Sequence, residues 1–254
     1  MFFEKDIEFS IHSDLINLKN IHPKEAKKNL PNWYKKIDKH TLYQKNIKGC
    51  IPFLDCISAG YVLPLPQDLF IGHNVVDKSL NPEERKSFLK YSLPEGVSEE
   101  LCKVYNLNGA SDQLHGVYQI GGPDNFMAKK NGSNNQIIKI LNPWKIKTPP
   151  GYSSLFVSPF YNENDYFSII SGIVDTDVFD DNINFPIIIN NDKYPSFEKI
   201  FKQGIPYVQV IPFKRDSWKK KISKKIISQT YKLKYFTQII NRYKDLIWQK
   251  KTWK

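Results

Sequence analysis

The run Gly204-Ile-Pro-Tyr-Val-Gln-Val-Ile-Pro-Phe213 carries the clearest β signal in the chain. From Tyr207 to Phe213 it is rich in β-branched and aromatic residues, which suit the pleated, half-buried surface of a strand. Similar short runs, separated by turn residues, occur upstream at 137–140, 154–157, 167–170 and 183–189. Strands at this spacing predict a mainly β fold, a barrel or sandwich of folded-back strands with helical additions.

The part of the chain before residue 136 is predicted to be less regular. Residues 7–11 alternate apolar and polar side chains and predict a strand. Residues 51–71 are apolar but interrupted by prolines, which predicts strands at a sheet edge or bend. Residues 30–36 are interpreted as an aromatic-anchored surface segment. We expect the strand at 59–63 to insert into the β unit of 136–213.

Helices are predicted at three places. Pro23 to Lys28 is a short proline-initiated helix, and a second begins at Asn81, where a capping residue, proline and early acids agree, and ends near Tyr91. A third is predicted over 98–105. Residues 108–135 are rich in Gly, Asn, Ser and Asp, which predicts a long irregular loop. The whole stretch 72–135 is therefore predicted to be a helical and loop insertion in one domain spanning 1–215.

The positive charge is concentrated at the C-terminal end. The chain has 254 residues, 41% of them hydrophobic, and a net charge of +11. From Lys214 onward the chain has 14 lysines and arginines but only two acidic residues. This segment therefore carries the whole net positive charge, and the rest of the chain is nearly neutral. Residues 216–254 are predicted to form a basic amphipathic helical tail. Its apolar stripe recurs at steps of about three and a half residues: Ile222, Ile226, Leu233, Phe236, Ile240, Tyr243 and Ile247.

This tail has two interpretations. Its apolar stripe could pack on the body or on a neighbouring subunit, which we favour because so long a stripe needs burial. Alternatively its lysines could give a weak, salt-sensitive affinity for nucleic acid or another polyanion. The candidate polyanion-binding residues are Lys219, Lys220, Lys221, Lys224 and Lys225.

The cysteines and the hydropathy indicate the compartment in which the protein is expected to reside. Three cysteines without a CxxC motif favour reduced thiols in a cytoplasm over a disulfide framework. The first residues lack the pattern of a signal peptide, and no apolar run approaches the length of a membrane span.

Three motifs follow one another along the chain. The first is Ala59-Gly-Tyr-Val-Leu63, the second joins Thr148-Pro-Pro-Gly-Tyr152 to Gly172-Ile-Val-Asp-Thr-Asp177, and the third is Gly204-Ile-Pro-Tyr-Val-Gln-Val210. In this order they resemble the first, third and fourth motifs of the trimeric dUTPase and dCTP deaminase superfamily. The resemblance implies the β-clip fold of that superfamily and a homo-oligomer, there a trimer.

A further set of motifs is similar to an uncharacterised protein family of tailed phages, notably marine ones, and bacteria. The set comprises Asn142-Pro-Trp144, Thr148–Gly151 and Gly172–Asp177, with Pro31-Asn-Trp-Tyr34 upstream, and the similarity spans residues 20–218. It implies a location in the cytoplasm of a bacterium or infected host cell, or association with a virion. It implies no activity.

The chain departs from the nucleotidase pattern at the residues that carry its chemistry. By the resemblance, Val62 replaces the metal-binding aspartate, Phe160 and Tyr161 replace the phosphate-binding Arg-Ser pair, and Pro206 replaces an arginine. Without metal ligand or cationic clamp, the charge of a nucleoside triphosphate is not neutralised. The zinc signature of a deaminase is missing as well. We therefore predict neither dUTP hydrolysis nor dCTP deamination.

Asp175 and Asp177 remain as candidate catalytic residues. By the resemblance Asp175 matches the water-activating aspartate, although a carboxylate in a β-turn usually caps backbone N–H groups. Histidines and cysteines do not pair at metal-ligand spacing, so we predict no metal and no cofactor. The candidate ligand-binding residues are Tyr61, Asn162, Gln209 and His115.

Two functions stay open from the sequence. The first is a non-catalytic β-clip-like phage or bacterial protein acting in binding or assembly. The alternative is a nucleotide- or small-molecule-processing enzyme with a rebuilt site formed by Asp175 and the 108–135 loop. A converging polar pocket around Asp175 would favour the enzyme, and a closed apolar turn would favour binding or assembly.

Overall fold

The structure is a computed structural model that describes residues 5–41, 46–74, 88–91, 98, 100, 121–122, 124–132, 137–223, 243–251 and 253. Its strands are β1 (Glu8–Ser10), β2 (Lys24–Glu25), β3 (Tyr61–Pro64), β4 (Leu69–His73), β5 (Phe88–Tyr91), β6 (Ile138–Ile140), β7 (Lys145–Lys147), β8 (Tyr152–Val157), β9 (Phe167–Ile169), β10 (Gly172–Val174), β11 (Phe185–Ile189), β12 (Phe197–Phe201) and β13 (Pro206–Lys214). The α-helices are α1 (Asn32–Lys36), α2 (Ile51–Ile57) and α3 (Phe126–Asn131). The mainly β class with helical additions is thus confirmed.

The largest sheet places the three motifs side by side. Its strand order is β10-β8-β13-β3-β2, and every neighbouring pair is antiparallel. Strand β13 lies in the middle, where Val210 is opposite Tyr61 of β3 on one side and Phe156 of β8 on the other. The predicted insertion of the 59–63 strand into the downstream β unit is therefore confirmed.

Gly60 allows the turn before β3 to pack against β13. Its φ is +65°, and a Cβ at this position would lie 2.0 Å from the carbonyl oxygen of Val210. Both the left-handed backbone and the close approach require glycine.

Smaller sheets complete the fold. They have the orders β6-β11-β9, β12-β4-β5 and β1-β7, and across the described residues the strands do not close into a single barrel. All these sheets contribute to one apolar core, where each fully buried large side chain contributes roughly 1.5–3 kcal/mol. Its fully buried members include Leu63, Ile71, Ile140, Ile146, Phe156, Ile187, Val208 and Val210.

Several local predictions are wrong because backbone pairing or capping overrides the local pattern. Residues 24–25 pair with β3 as a strand, and only Ala26–Lys28 form a helical turn, of the 3-10 type. Residues 51–57 form helix α2, since Pro52 occupies its first turn, where a proline needs no N–H partner. The predicted helix ending at Tyr91 gives way to β5, because 88–91 pair with β4.

Two further predictions concern segments that are described only in part. The predicted loop 108–135 contains helix α3, which Asn125 caps by accepting a hydrogen bond from the backbone N–H of Ala128 at 2.9 Å. In the predicted helical tail, residues 216–223 are not helical and 243–247 form one turn of π-helix. The rest of that tail, and nearly all of the predicted helix 98–105, lie outside the described residues.

Within the part of the chain that the structure describes, no helix combines the length and the apolar character needed to cross a membrane.

Candidate functional site

The two halves of the second motif, 148–152 and 172–177, lie side by side and are joined by hydrogen bonds. Strands β8 and β10 pair with Val174 opposite Ser154, which brings the turn at 148–151 next to the turn at 175–177. Between them Thr176 is fully buried, with its hydroxyl 2.7 Å from that of Thr148 and 3.0 Å from that of Ser154. The buried hydroxyl triad fixes where the flanking aspartates lie.

Asp177 is held by protein groups on both carboxylate oxygens. Its Oδ2 accepts a hydrogen bond from the backbone N–H of Gly151 at 2.8 Å, and its Oδ1 accepts one from Arg215 Nη1 at 2.8 Å. Arg215 Nη2 also donates to Oδ2, so the pair is bidentate. The hydrogen bonds from Arg215 lower the pKa of Asp177 to about 2. This side chain, only 6% exposed, clamps the two turns and the end of β13.

Asp175 lies at the surface of the same clamp. Its Oδ1 accepts a hydrogen bond from the hydroxyl of Ser153 at 2.6 Å and lies 3.2 Å from Arg215 Nη1. The side chain is 59% exposed. Arg215 further donates to the backbone oxygen of Tyr152 at 3.0 Å. The aspartates are therefore bound to an arginine of their own chain.

Arg215 is the residue that sequence reasoning missed at this site. It is one of only three arginines in the chain and lies 38 residues after Asp177. Because its sequence neighbours are Lys214 and Asp216, Arg215 resembles the first residues of the basic tail. The scarcity of arginine was the one available signal, because arginine alone offers a planar fork for a carboxylate.

Residues from the first and third motifs, and from the segment between the two halves of the second, come together in space at a small cavity. Val62, Phe160, Pro206 and Gln209 line one cavity of only about 20 Å³. A cavity of this size accommodates about one water molecule. The remaining lining residues are Asn29, Pro31, Ile57, Pro159 and Asn162.

Gln209 and Asn162 use their amides to join loops. Gln209, which is buried, accepts from the backbone N–H of Phe160 at 3.1 Å and donates to the carbonyl oxygens of Ala59 at 2.7 Å and Cys56 at 3.3 Å. Asn162 donates to the carbonyl oxygen of Pro206 at 3.1 Å. Both side chains thus hold the wall of the small cavity.

A much larger cleft lies on the other side of β3. Tyr61 lines it together with residues from β1 and β2, and its volume is about 560 Å³. The pKa of Tyr61 is raised, first by burial and then by the negative charges of Glu25 and Asp6. Its phenol therefore stays neutral at physiological pH.

The remaining candidates are dispersed. Lys219, Lys220 and Lys221 are exposed in a segment that is neither helix nor strand, whereas His115, Lys224 and Lys225 lie outside the described residues. Across the described ranges, no three His, Cys, Asp or Glu side chains are grouped as metal ligands. His73 is buried in the core, and its Nε2 lies 2.9 Å from Asn191 Oδ1.

The end of the tail contacts the body at helix α2. Trp248 Nε1 donates to Asp55 Oδ2 at 2.9 Å, and Lys251 Nζ lies 2.7 Å from the same oxygen. By contrast, Trp218 is 91% exposed and Ile222 is 86% exposed. Among the described tail residues, Trp248 and Lys251 therefore contact the body, whereas Trp218 and Ile222 are exposed to solvent.

Compared with protein-family models, with curated proteins and with solved structures, the chain matches none.

Proposed function

We propose that this chain is a non-catalytic, β-clip-like protein of a tailed phage or bacterium that acts in binding or assembly. The observation that supports this most strongly is the cavity lined by Val62, Phe160 and Pro206. Its volume of about 20 Å³ leaves no room for a triphosphate, and its lining contains no carboxylate to bind a hard cation.

The state of the aspartates supports the same proposal. Catalysis of triphosphate hydrolysis needs cationic groups aimed at the phosphates. Arg215, the one arginine among the described residues, is paired with Asp177 and lies 3.2 Å from Asp175. The turn is closed by its own hydrogen bonds, which is the arrangement expected of a structural clamp.

Turnover assays test the absence of catalysis. Purified protein is incubated with dUTP or dCTP and magnesium, and release of pyrophosphate or ammonia is followed. We expect no release above the buffer control. Robust release that is abolished in Asp175→Asn but kept in Asp180→Asn, an exposed acid five residues after Asp175, would overturn the proposal in favour of a rebuilt enzyme site around Asp175.

Assembly is supported by the outer strand of the large sheet. Strand β10 ends the sheet order, and Ile173, Val178 and Phe179 on and after it are 63%, 71% and 41% exposed. A strand edge that pairs with no other described strand, beside exposed apolar side chains, favours association. We propose that the partner is a second copy of this chain, in a homo-oligomer. Weak polyanion binding through the exposed Lys219, Lys220 and Lys221 belongs to the same proposal.

A further inference from the structure

A cluster of aromatic side chains lies where helices α1 and α2 meet the loop at 158–163. The ring centroid of Phe53 on α2 lies 4.9 Å from that of Tyr161 and 6.0 Å from that of Trp33 on α1. The indole N–H of Trp33 donates to the carbonyl oxygen of Tyr161 at 2.8 Å, and Glu163 accepts a hydrogen bond from the backbone N–H of Trp33 at 3.1 Å. These contacts join three separate segments into one surface, and we call Trp33, Phe53 and Tyr161 the aromatic platform.

Tyr161 is held at the surface by a strained backbone. Its φ is +55°, in the left-handed region that a bulky side chain rarely adopts. Hydrogen bonds fix the loop around it, since the backbone N–H of Phe160 donates to buried Gln209 and that of Asn162 donates to the carbonyl oxygen of Pro159 at 3.2 Å. Tyr161 is nevertheless 61% exposed. A strained residue that its surroundings hold in place is typical of a functional position.

Helix α1 adds positive charge beside the aromatic platform. Residues 19–48 contain nine lysines and only two acids. Lys35 and Lys36 lie in the last turn of α1, where Lys36 follows Trp33 by three residues and is therefore its neighbour on the helix surface. Lys48 Nζ lies 3.2 Å from the carbonyl oxygen of Lys35. Within the described part of the chain, Lys35 and Lys36 are exposed and form no ion pair.

We propose that the aromatic platform and the lysines of α1 bind a single-stranded nucleic acid without sequence preference. An unpaired base stacks on the exposed Tyr161 ring, and Lys35 and Lys36 attract the phosphates on either side of it. Exposed aromatic rings next to positive charge are what sites for single strands have in common. Lysine lacks the planar fork with which arginine reads base edges, so no sequence preference is expected.

Binding of labelled oligonucleotides to the full chain, followed by fluorescence anisotropy, tests the proposal. The probes are an oligothymidylate of about 12 nucleotides, an oligouridylate of the same length, and the oligothymidylate annealed to its complement. We expect both single strands to bind more tightly than the duplex, because paired bases are not free to stack on Tyr161. The tighter of the two single strands identifies whether DNA or RNA is preferred.

Variants of Tyr161 separate binding from folding. Tyr161→Gly removes the ring and relieves the left-handed backbone, so it should weaken binding about tenfold without lowering the melting temperature. Tyr161→Phe should bind like the wild type, because stacking needs the ring and not the hydroxyl. Phe126→Ala removes a 78% exposed ring on α3 and should leave binding unchanged. A purely structural Tyr161 would instead lower the melting temperature in Tyr161→Gly and leave binding unchanged.

Charge variants test the lysines through the salt dependence of binding. Replacing Lys35 and Lys36 together by methionine should reduce the slope of log affinity against log salt by about 1.4, because each phosphate contact of a single strand contributes about 0.7. The same change at Lys129 and Lys145, which are exposed elsewhere, should leave the slope unchanged. Equal effects of the two double variants, or a duplex that binds as tightly as the single strands, would overturn the proposal.

The site is distinct from the surfaces in the function proposed above, since it uses neither β10 nor the lysines at 219–221. If methionine at all three of Lys219, Lys220 and Lys221 abolishes binding while Tyr161→Gly binds like the wild type, the nucleic acid binds to the tail and this site is overturned. Association through β10 is measured without nucleic acid, so its outcome does not depend on this one.

Discussion

At the scale of single residues, Arg215 decides what Asp177 does. The guanidinium holds both carboxylate oxygens, and Gly151 donates a third hydrogen bond from its backbone. Replacement by lysine would keep the charge but lose the fork geometry. Asp177 therefore links the turn at 148–151 to the end of β13.

Asp177→Asn is predicted to reduce stability at neutral pH and to remove one component of acid unfolding. The pKa of Asp177 is lowered in the folded state from 3.8 to about 2. Its stabilising effect is therefore present above its ordinary pKa and is lost as the pH falls from about 4 to 2. Chemical denaturation at a series of pH values measures this. An equally steep acid limb in the variant would contradict the assignment, and Asp192→Asn, an exposed acid, is the control.

His73 is predicted to destabilise the fold in weak acid. Burial lowers its pKa, although the hydrogen bond with Asn191 opposes that effect. The unfolded state then binds a proton that the folded state does not, so stability falls as the pH drops below about 6.5, by at most about 1.4 kcal/mol per pH unit.

The measurement for His73 compares unfolding free energies between neutral pH and pH values just below that range. In His73→Gln the decrease should be smaller than in the wild type. His12→Gln, at an exposed position, should keep the wild-type slope. A wild-type slope in His73→Gln would show that another group carries the acid sensitivity.

At the scale of elements, helix α2 anchors the end of the tail through Asp55. Asp55 is contacted by Trp248 and Lys251, and α2 also carries Phe53, whose ring lies 4.9 Å from that of Tyr161. The Lys251 side chain is 47% exposed and the Asp55 side chain 21% exposed, and an ion pair at the surface contributes at most about 1 kcal/mol. The contact is therefore expected to position the tail without determining global stability.

Asp55→Ala is predicted to release residues 243–253 while the melting temperature changes little. Hydrogen exchange followed by mass spectrometry should show faster exchange confined to this segment, because its side-chain anchors are lost. Asp181→Ala serves as the control. A large fall in melting temperature would mean that the tail packs on the body far more extensively than this contact.

At the scale of the whole molecule, the outer edge of β10 governs the proposed association. Ile173→Lys should shift the sedimentation distribution to a smaller species, because a charge on an edge strand opposes strand pairing and apolar contact. Ile200→Lys, which also replaces an exposed isoleucine, on β12, should leave the distribution unchanged. A wild-type monomer, or equal effects of both variants, would contradict association through β10.

The sequence alone determined the β-rich half of the molecule. Strands at 185–189 and 206–214 were predictable because β-branched and aromatic residues, and the turn residues between runs, act locally. A structural role for Asp177 was likewise foreseeable, since aspartate in a turn commonly accepts backbone hydrogen bonds.

Only the tertiary structure decided the remaining features. Residues 88–91 form a strand because β4 offers its edge, and Asp177 is clamped because the fold brings Arg215 to it from 38 residues away. The cleft requires β1, β2 and β3 at once. Contacts between residues far apart in the chain leave no periodic trace in the local sequence, so they become visible only when the strands are placed side by side.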